Sequence, residues 1–189
     1  MNDGSLQRVT KLFAKLFREL KASGVVDHEI RHRYAEFLIA SMLAKRGHAV
    51  QVLQERENKD ADLYLPETKQ RIEVKSGKAE EDGWVYASFG KGTQISRKRF
   101  DICAFVTFSA KWERVENIFV FTHRELREVC RKRKRVARYE ATNPSVLMLS
   151  PSVKEFDVWT KTKRVRGWNI ERALLTHPER FKDAWGKLR

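Results

Sequence analysis

The stretch ADLYLPETKQRIEVKS, from Ala61 to Ser76, constrains the fold more than any other. Two runs that alternate apolar and polar residues, ADLYL (Ala61–Leu65) and RIEVKS (Arg71–Ser76), flank a short segment, PETK (Pro66–Lys69). Its proline and its length suit a tight turn, so the pattern predicts an antiparallel hairpin. With the turn centred between Glu67 and Thr68, Leu65 faces Gln70 and Asp62 faces Glu73. Side chains alternate along a strand, so Ala61, Leu63, Leu65, Ile72 and Val74 share an apolar face. Asp62, Tyr64, Arg71, Glu73 and Lys75 share the other. The apolar face sets the register, because a slip of one residue would turn it to solvent.

That register makes Asp62 and Glu73 direct cross-strand neighbours, with Cβ atoms about 5 Å apart. Two carboxylates so close repel unless positive charge lies between them. Lys75 and Arg71 supply part of it. A divalent cation would supply more, and two carboxylates plus waters suit Mg²⁺. Lys75, two residues beyond Glu73, stays on the same face and can reach a nearby water. A metal that polarises a phosphate and a lysine that orients the nucleophile are what phosphodiester hydrolysis needs. Alternation of this kind also marks any half-exposed strand, and a distant Asp with Glu-x-Lys recurs on solvated faces. Three features favour the catalytic reading: the register that pairs the acids, the basic charge of the chain, and an acid on the preceding helix, Glu36.

The charge narrows the partners. The 189 residues hold 39 Lys and Arg against 25 Asp and Glu, a formal net charge of +14. Such an excess favours polyanions, nucleic acid first and an anionic membrane surface second, although charge alone does not fix a partner. With 41% hydrophobic residues the chain has enough apolar content for one domain with a real core. Two cysteines make no disulfide framework, and neither a CxxC pair nor a Cys/His cluster points to zinc. Cys103 reads as a small core residue and Cys130 falls on a predicted helix. No signal peptide is read, and no apolar run approaches the roughly 18 residues of a membrane span, so a cytoplasmic protein without a membrane partner is expected.

Around the hairpin, Leu6, Val9, Phe13, Leu16, Phe17 and Leu20 recur at helical spacing, with Gly24 as the stop. A second helix is expected from about Asp27 to Arg46, closed by Gly47. AVQVL (Ala49–Leu53), WVYASF (Trp84–Phe89), DICAFVTF (Asp101–Phe108), NIFVF (Asn117–Phe121) and VLML (Val146–Leu149) read as strands. The unbroken apolar run of DICAFVTF fits a fully buried strand. GKGTQ (Gly90–Gln94) reads as a loop leading into a short helix through Lys98. Thr122 and Glu125 form a capping box for a helix through about Arg133, and Asn169 and Thr176 read as caps of final helical pieces. The sum is an α/β (α+β) domain with a central mixed sheet flanked by helices. Residues 1–25 form an N-terminal helix, 26–140 the core, and 141–189 a basic extension packed on it.

Asp62, Glu73-Val74-Lys75 and the helix Tyr34–Val50 with its Glu36 resemble the PD-(D/E)xK nuclease superfamily, over roughly Asp27 to Phe108. The resemblance implies a restriction-endonuclease-like core and Mg²⁺-dependent cleavage of nucleic acid, with Mn²⁺ able to substitute. It makes Asp62 and Glu73 metal ligands, Glu36 an accessory ligand, Lys75 the residue that orients or activates water, and Gln94 an accessory catalytic residue. Ala61 stands where the first motif has proline, and Asp60 competes with Asp62 from the strand's edge. Glu36 also has a plain alternative, an ion pair with Arg33 three residues before it. The implied activity is a DNA endonuclease, restriction-like, with junction resolution, repair or non-catalytic nucleic-acid binding as alternatives, acting as a homodimer.

Basic runs mark where DNA would lie. RKRKRVAR (Arg131–Arg138) has six basic residues in eight, reading either as a solvated helix end or as a phosphate-binding patch. The second reading assigns Arg131, Lys132, Arg133, Lys134, Arg135 and Arg138 to DNA, together with Arg97 and Lys98 of SRKRF. KTKRVRGW (Lys161–Trp168) is a further basic stretch. Phosphate contacts position a protein without reading sequence, and no base-recognition motif stands out.

Overall fold

The computed structural model describes residues 3–24, 28–53, 61–78, 85–88, 99–109, 114–131, 134–135, 146–149, 171–172 and 180–188. Helices α1 (Asp3–Ala22) and α2 (His28–Lys45) come first. A central five-stranded sheet follows, ordered β1-β2-β3-β5-β6, from Gln51–Val52, Leu63–Leu65, Gln70–Lys78, Ile102–Phe108 and Val115–Thr122. Its pairings are antiparallel except β3 with β5, which is parallel. The fold is therefore α+β with a mixed sheet, as the sequence implied.

The apolar pattern explains the layers. Ile72 and Val74 of β3, Leu63 and Leu65 of β2, and Ile102, Ala104, Val106 and Phe108 of β5 form one core with Ala35, Ile39, Ala40 and Leu43 of α2 and Leu6 of α1. Phe13 of α1 stacks on Phe37 of α2 at 5.1 Å, and Thr10 donates to the Phe37 carbonyl at 3.0 Å. The alternate residues Cys103, Phe105 and Thr107 are buried on the opposite face of β5. Phe121, the β6 partner of Cys103, lies on that face and stacks on Phe181 at 4.5 Å. Both faces of β5 are thus covered, which is why its run is apolar throughout.

Both helix stops hold. Gly24 and Gly47 have φ of 76° and 89°, which an L side chain rarely adopts. After α2 the His48 N–H reaches the Leu43 carbonyl and the Gly47 N–H the Ala44 carbonyl, the two bonds that close a helix through a left-handed glycine. The capping box also forms: Thr122 N–H donates to Glu125 Oε2 at 2.8 Å and Glu125 N–H to Thr122 Oγ1 at 3.2 Å. It opens α3 (His123–Arg131).

Parts of the expected pattern need correction. β4 (Val85–Ser88) does not join the central sheet but pairs with β8 (Val146–Leu149) in a separate ribbon. The apolar β5 takes β3 and β6 on its two edges, leaving no edge there for β4. α3 is described through Arg131, and β7 (Lys134–Arg135) pairs with β9 (Glu171–Arg172). The basic run is therefore not one continuous helix end. Glu171 and Arg172, where a helix after Asn169 would begin, are strand instead. A short 3-10 turn, Trp185–Lys187, follows Ala184, and the expected cap Thr176 lies outside the described residues. Just before it, the chain runs against β6: Val120 N–H donates to the Phe181 carbonyl and Asp183 N–H to that of Ile118. No helix among the described residues is long and apolar enough to cross a membrane.

Candidate active site

The site is built where β2 ends and β3 continues. Leu63, Tyr64 and Leu65 pair with Ile72, Arg71 and Gln70, the register read from the sequence. β2 starts only at Leu63, whereas β3 runs nine residues to Lys78. Asp62 sits in the bend before β2, its N–H donating to the Ile72 carbonyl and its carbonyl accepting from Leu53 N–H. Its carboxylate replaces the next rung of the ladder: Oδ2 accepts the Val74 N–H at 2.6 Å. A short acidic side chain thereby satisfies an edge amide and is pinned against β3.

Glu73 and Lys75 project from β3 on the face away from α2, beside Cys103 and Phe105 of β5. Only 3% of Glu73 is exposed, and its Oε1 forms an ion pair with Lys75 Nζ. Burial alone would lower the Lys75 ammonium, but Glu73, with Asp62 behind it, outweighs burial and raises its pKa. Lys75 is therefore a cation at neutral pH, suited to orienting a nucleophile or stabilising charge rather than to taking a proton.

Asp62 is the opposite case. Burial first, then the charges of Glu73 and Glu36, push its carboxyl up to about 8, against the pull of the Val74 N–H and Lys75. Glu36 comes from α2, buried, with Arg33 Nη1 on its Oε2 at 2.7 Å. The pair with Arg33 thus exists, and the influence of Glu36 on Asp62 exists beside it. Glu36 and Glu73 each hold a cationic side chain, whereas the hydrogen bond to the Asp62 carboxylate comes from a backbone N–H.

Residues beyond this cluster divide by place. Cys103 is buried and forms no disulfide, as its apolar run suggested. Gln94, Arg97, Lys98, Lys132, Arg133 and Arg138, with Asp60, Trp168, Asn169 and Thr176, lie outside the described residues. Arg131 ends α3, and Lys134 and Arg135 form β7. Two residues had no assigned role: His32 of α2, whose Nδ1 lies 3.1 Å from Oγ of Ser76, the residue after Lys75. The signal available was spacing, since His32 precedes Glu36 by one helical turn.

A metal fits part of this set. No three His, Cys, Asp or Glu side chains among the described residues group closely enough to cage an ion. Mg²⁺ does not require a cage, because it binds through one or two carboxylates and completes its shell with water and substrate oxygens. Burial first, and then the repulsion of Glu73 and Glu36, lifts Asp62, and a cation would relieve the repulsion.

No protein-family model matches the chain, and no curated protein matches it. Among solved structures it is similar to a bacterial homing endonuclease, I-Ssp6803I, with 15% identity, a TM-score of 0.47, and coverage of 85% of this chain and 92% of that one. At that identity and superposition the match is a likeness and nothing more.

Proposed function

We propose that this chain is a Mg²⁺-dependent DNA endonuclease. The observation that carries the reading is the contrast within one hairpin: Lys75 is held on Glu73, while Asp62 beside them is lifted to about 8. Asp62 and Glu73 would hold the metal, and Glu36 adds negative potential to the same place. When bound, Mg²⁺ or Mn²⁺ supplies Lewis-acid polarisation of the scissile phosphate and a lowered pKa for water. The chain's own residues do the rest. Lys75 keeps an ammonium beside the attacking water and the developing phosphate charge. Asp62 would give up its proton to the solvent for a divalent ion to bind, so metal affinity would rise with pH. Glu73 fixes the Lys75 rotamer through the ion pair.

The net charge of +14 supports DNA as the substrate, with affinity that falls as salt rises. A restriction-like role is favoured over junction resolution or repair, in the cytoplasm and as a homodimer, since one site cuts one strand and a duplex has two. Plasmid cleavage with Mg²⁺, with EDTA, and with Lys75→Ala beside wild type is the test. Cleavage that disappears in both controls supports the reading. Salt-sensitive DNA binding without cleavage of plasmid, branched or damaged DNA replaces it with a non-cutting binding module.

A further inference from the structure

The catalytic reading places its residues on two layers. Glu73 and Lys75 belong to β3, and Glu36 to α2, so the site depends on how these two elements are set against each other. Most of their shared surface is apolar, from Ala35 and Ile39 to Ile72 and Val74. Apolar contacts are non-directional and tolerate sliding. The His32–Ser76 contact is different. Ser76 is buried, His32 is half-buried, and the 3.1 Å hydrogen bond joins the turn of α2 before Glu36 to the residue after Lys75.

Polar groups in such an interface cost free energy when a hydrogen bond is lost, so the 3.1 Å bond resists any shift that would separate the pair. The ring's chemistry adds robustness. A neutral Nδ1 accepts from the Ser76 hydroxyl, and a protonated Nδ1 donates to the hydroxyl oxygen. The bridge therefore survives titration of the histidine.

We propose that His32, through Ser76, is a positioning residue that locks the helix bearing Glu36 to the strand bearing Glu73 and Lys75. The inference deepens the endonuclease reading and rests on it for the effect on rate. The bridge itself does not depend on it. The test compares His32→Ala, His32→Asn, Ser76→Ala and the double variant His32→Ala/Ser76→Ala in full-length protein. Asparagine keeps a polar atom near the position of Nδ1 but cannot shuttle a proton. His32→Ala and Ser76→Ala are expected to lower kcat for plasmid cleavage roughly ten- to a hundredfold each, with KM unchanged. The double variant should be no slower than the slower single, and His32→Asn should keep the wild-type rate and pH profile. Losses that multiply in the double variant, or a His32→Asn enzyme as slow as His32→Ala, would overturn the proposal.

Amide hydrogen exchange at Lys75 and Ser76 gives a readout independent of cleavage. It should quicken in His32→Ala and in Ser76→Ala and return to wild type in His32→Asn. If wild-type protein cuts no DNA, the endonuclease reading fails, and exchange still decides the bridge. Unchanged exchange in both alanine variants would sink it.

Discussion

Glu125 and Asp62 are two partly buried carboxylates near opposite edges of one sheet. Glu125 Oε2 accepts from the Thr122 N–H at 2.8 Å, from the Thr122 hydroxyl at 2.9 Å and from Lys187 Nζ at 2.8 Å. Burial would raise its pKa, but the Lys187 hydrogen bond, followed by the Thr122 N–H and hydroxyl, lowers it. Asp62 accepts one strong backbone bond and faces two acids, and its pKa rises to about 8. The first carboxylate is a finished structural joint: it caps α3, and Lys187 also reaches the Val120 carbonyl of β6. The second is held in place by one backbone bond, and burial and its acidic neighbours disfavour its charged form. The difference teaches that deeper burial, fewer donors and acidic neighbours together separate a group kept ready for a cation from one that stabilises the fold.

Substitutions can break this contrast. The largest effects are expected at Lys75 and Asp62. Lys75→Ala should lower DNA cleavage by about a hundredfold or more, measured with saturating Mg²⁺, while salt-dependent DNA binding is kept. Asp62→Asn should also abolish cleavage, yet raise stability near neutral pH, on the order of 1–3 kcal/mol in EDTA by denaturant titration. The sign follows from proton binding. Between the ordinary carboxylate pKa and about 8 the folded state holds a proton that the unfolded state has lost, so wild-type stability falls as pH rises through that window. Asp62→Asn should flatten this slope, and a slope unchanged by the substitution would contradict the frustrated-acid picture.

Divalent metal offers a sharper comparison. Mg²⁺ should raise the wild-type melting temperature more at pH 8 to 9 than at pH 6, because Asp62 must lose its proton to bind. In Asp62→Asn the metal-dependent shift should vanish. The smallest effect belongs to the other carboxylate: Glu125→Ala should cost about 1–2 kcal/mol by thermal or denaturant unfolding and leave kcat unchanged. Its wild-type contribution is present above the ordinary carboxylate pKa and is lost as pH falls through the lowered folded value, a window far more acidic than that of Asp62.

Much of this contrast could be read before any coordinates. The Thr122–Glu125 capping box is a local motif of four residues, and local geometry suffices to close it. The hairpin register was equally legible, because period-two alternation leaves one pairing that buries Ile72 and Val74. Lys187, which completes the Glu125 joint from 62 residues away, left no such signal. Neither did the pairing of Val85–Ser88 with Val146–Leu149, since a short strand does not state which edge it will join.

The sequence by itself determined the alternating hairpin, the buried strand, the helix stops and the placing of Glu73 and Lys75 on one face of β3, because each follows from side-chain periodicity or short-range hydrogen bonding. Tertiary structure alone decided that Asp62 would turn out of the ladder onto the Val74 amide, that Glu36 would come from α2 to raise its pKa, and that His32 would meet Ser76. These depend on how layers distant in the chain pack, where burial and charge act through space and carry no periodic trace in the sequence.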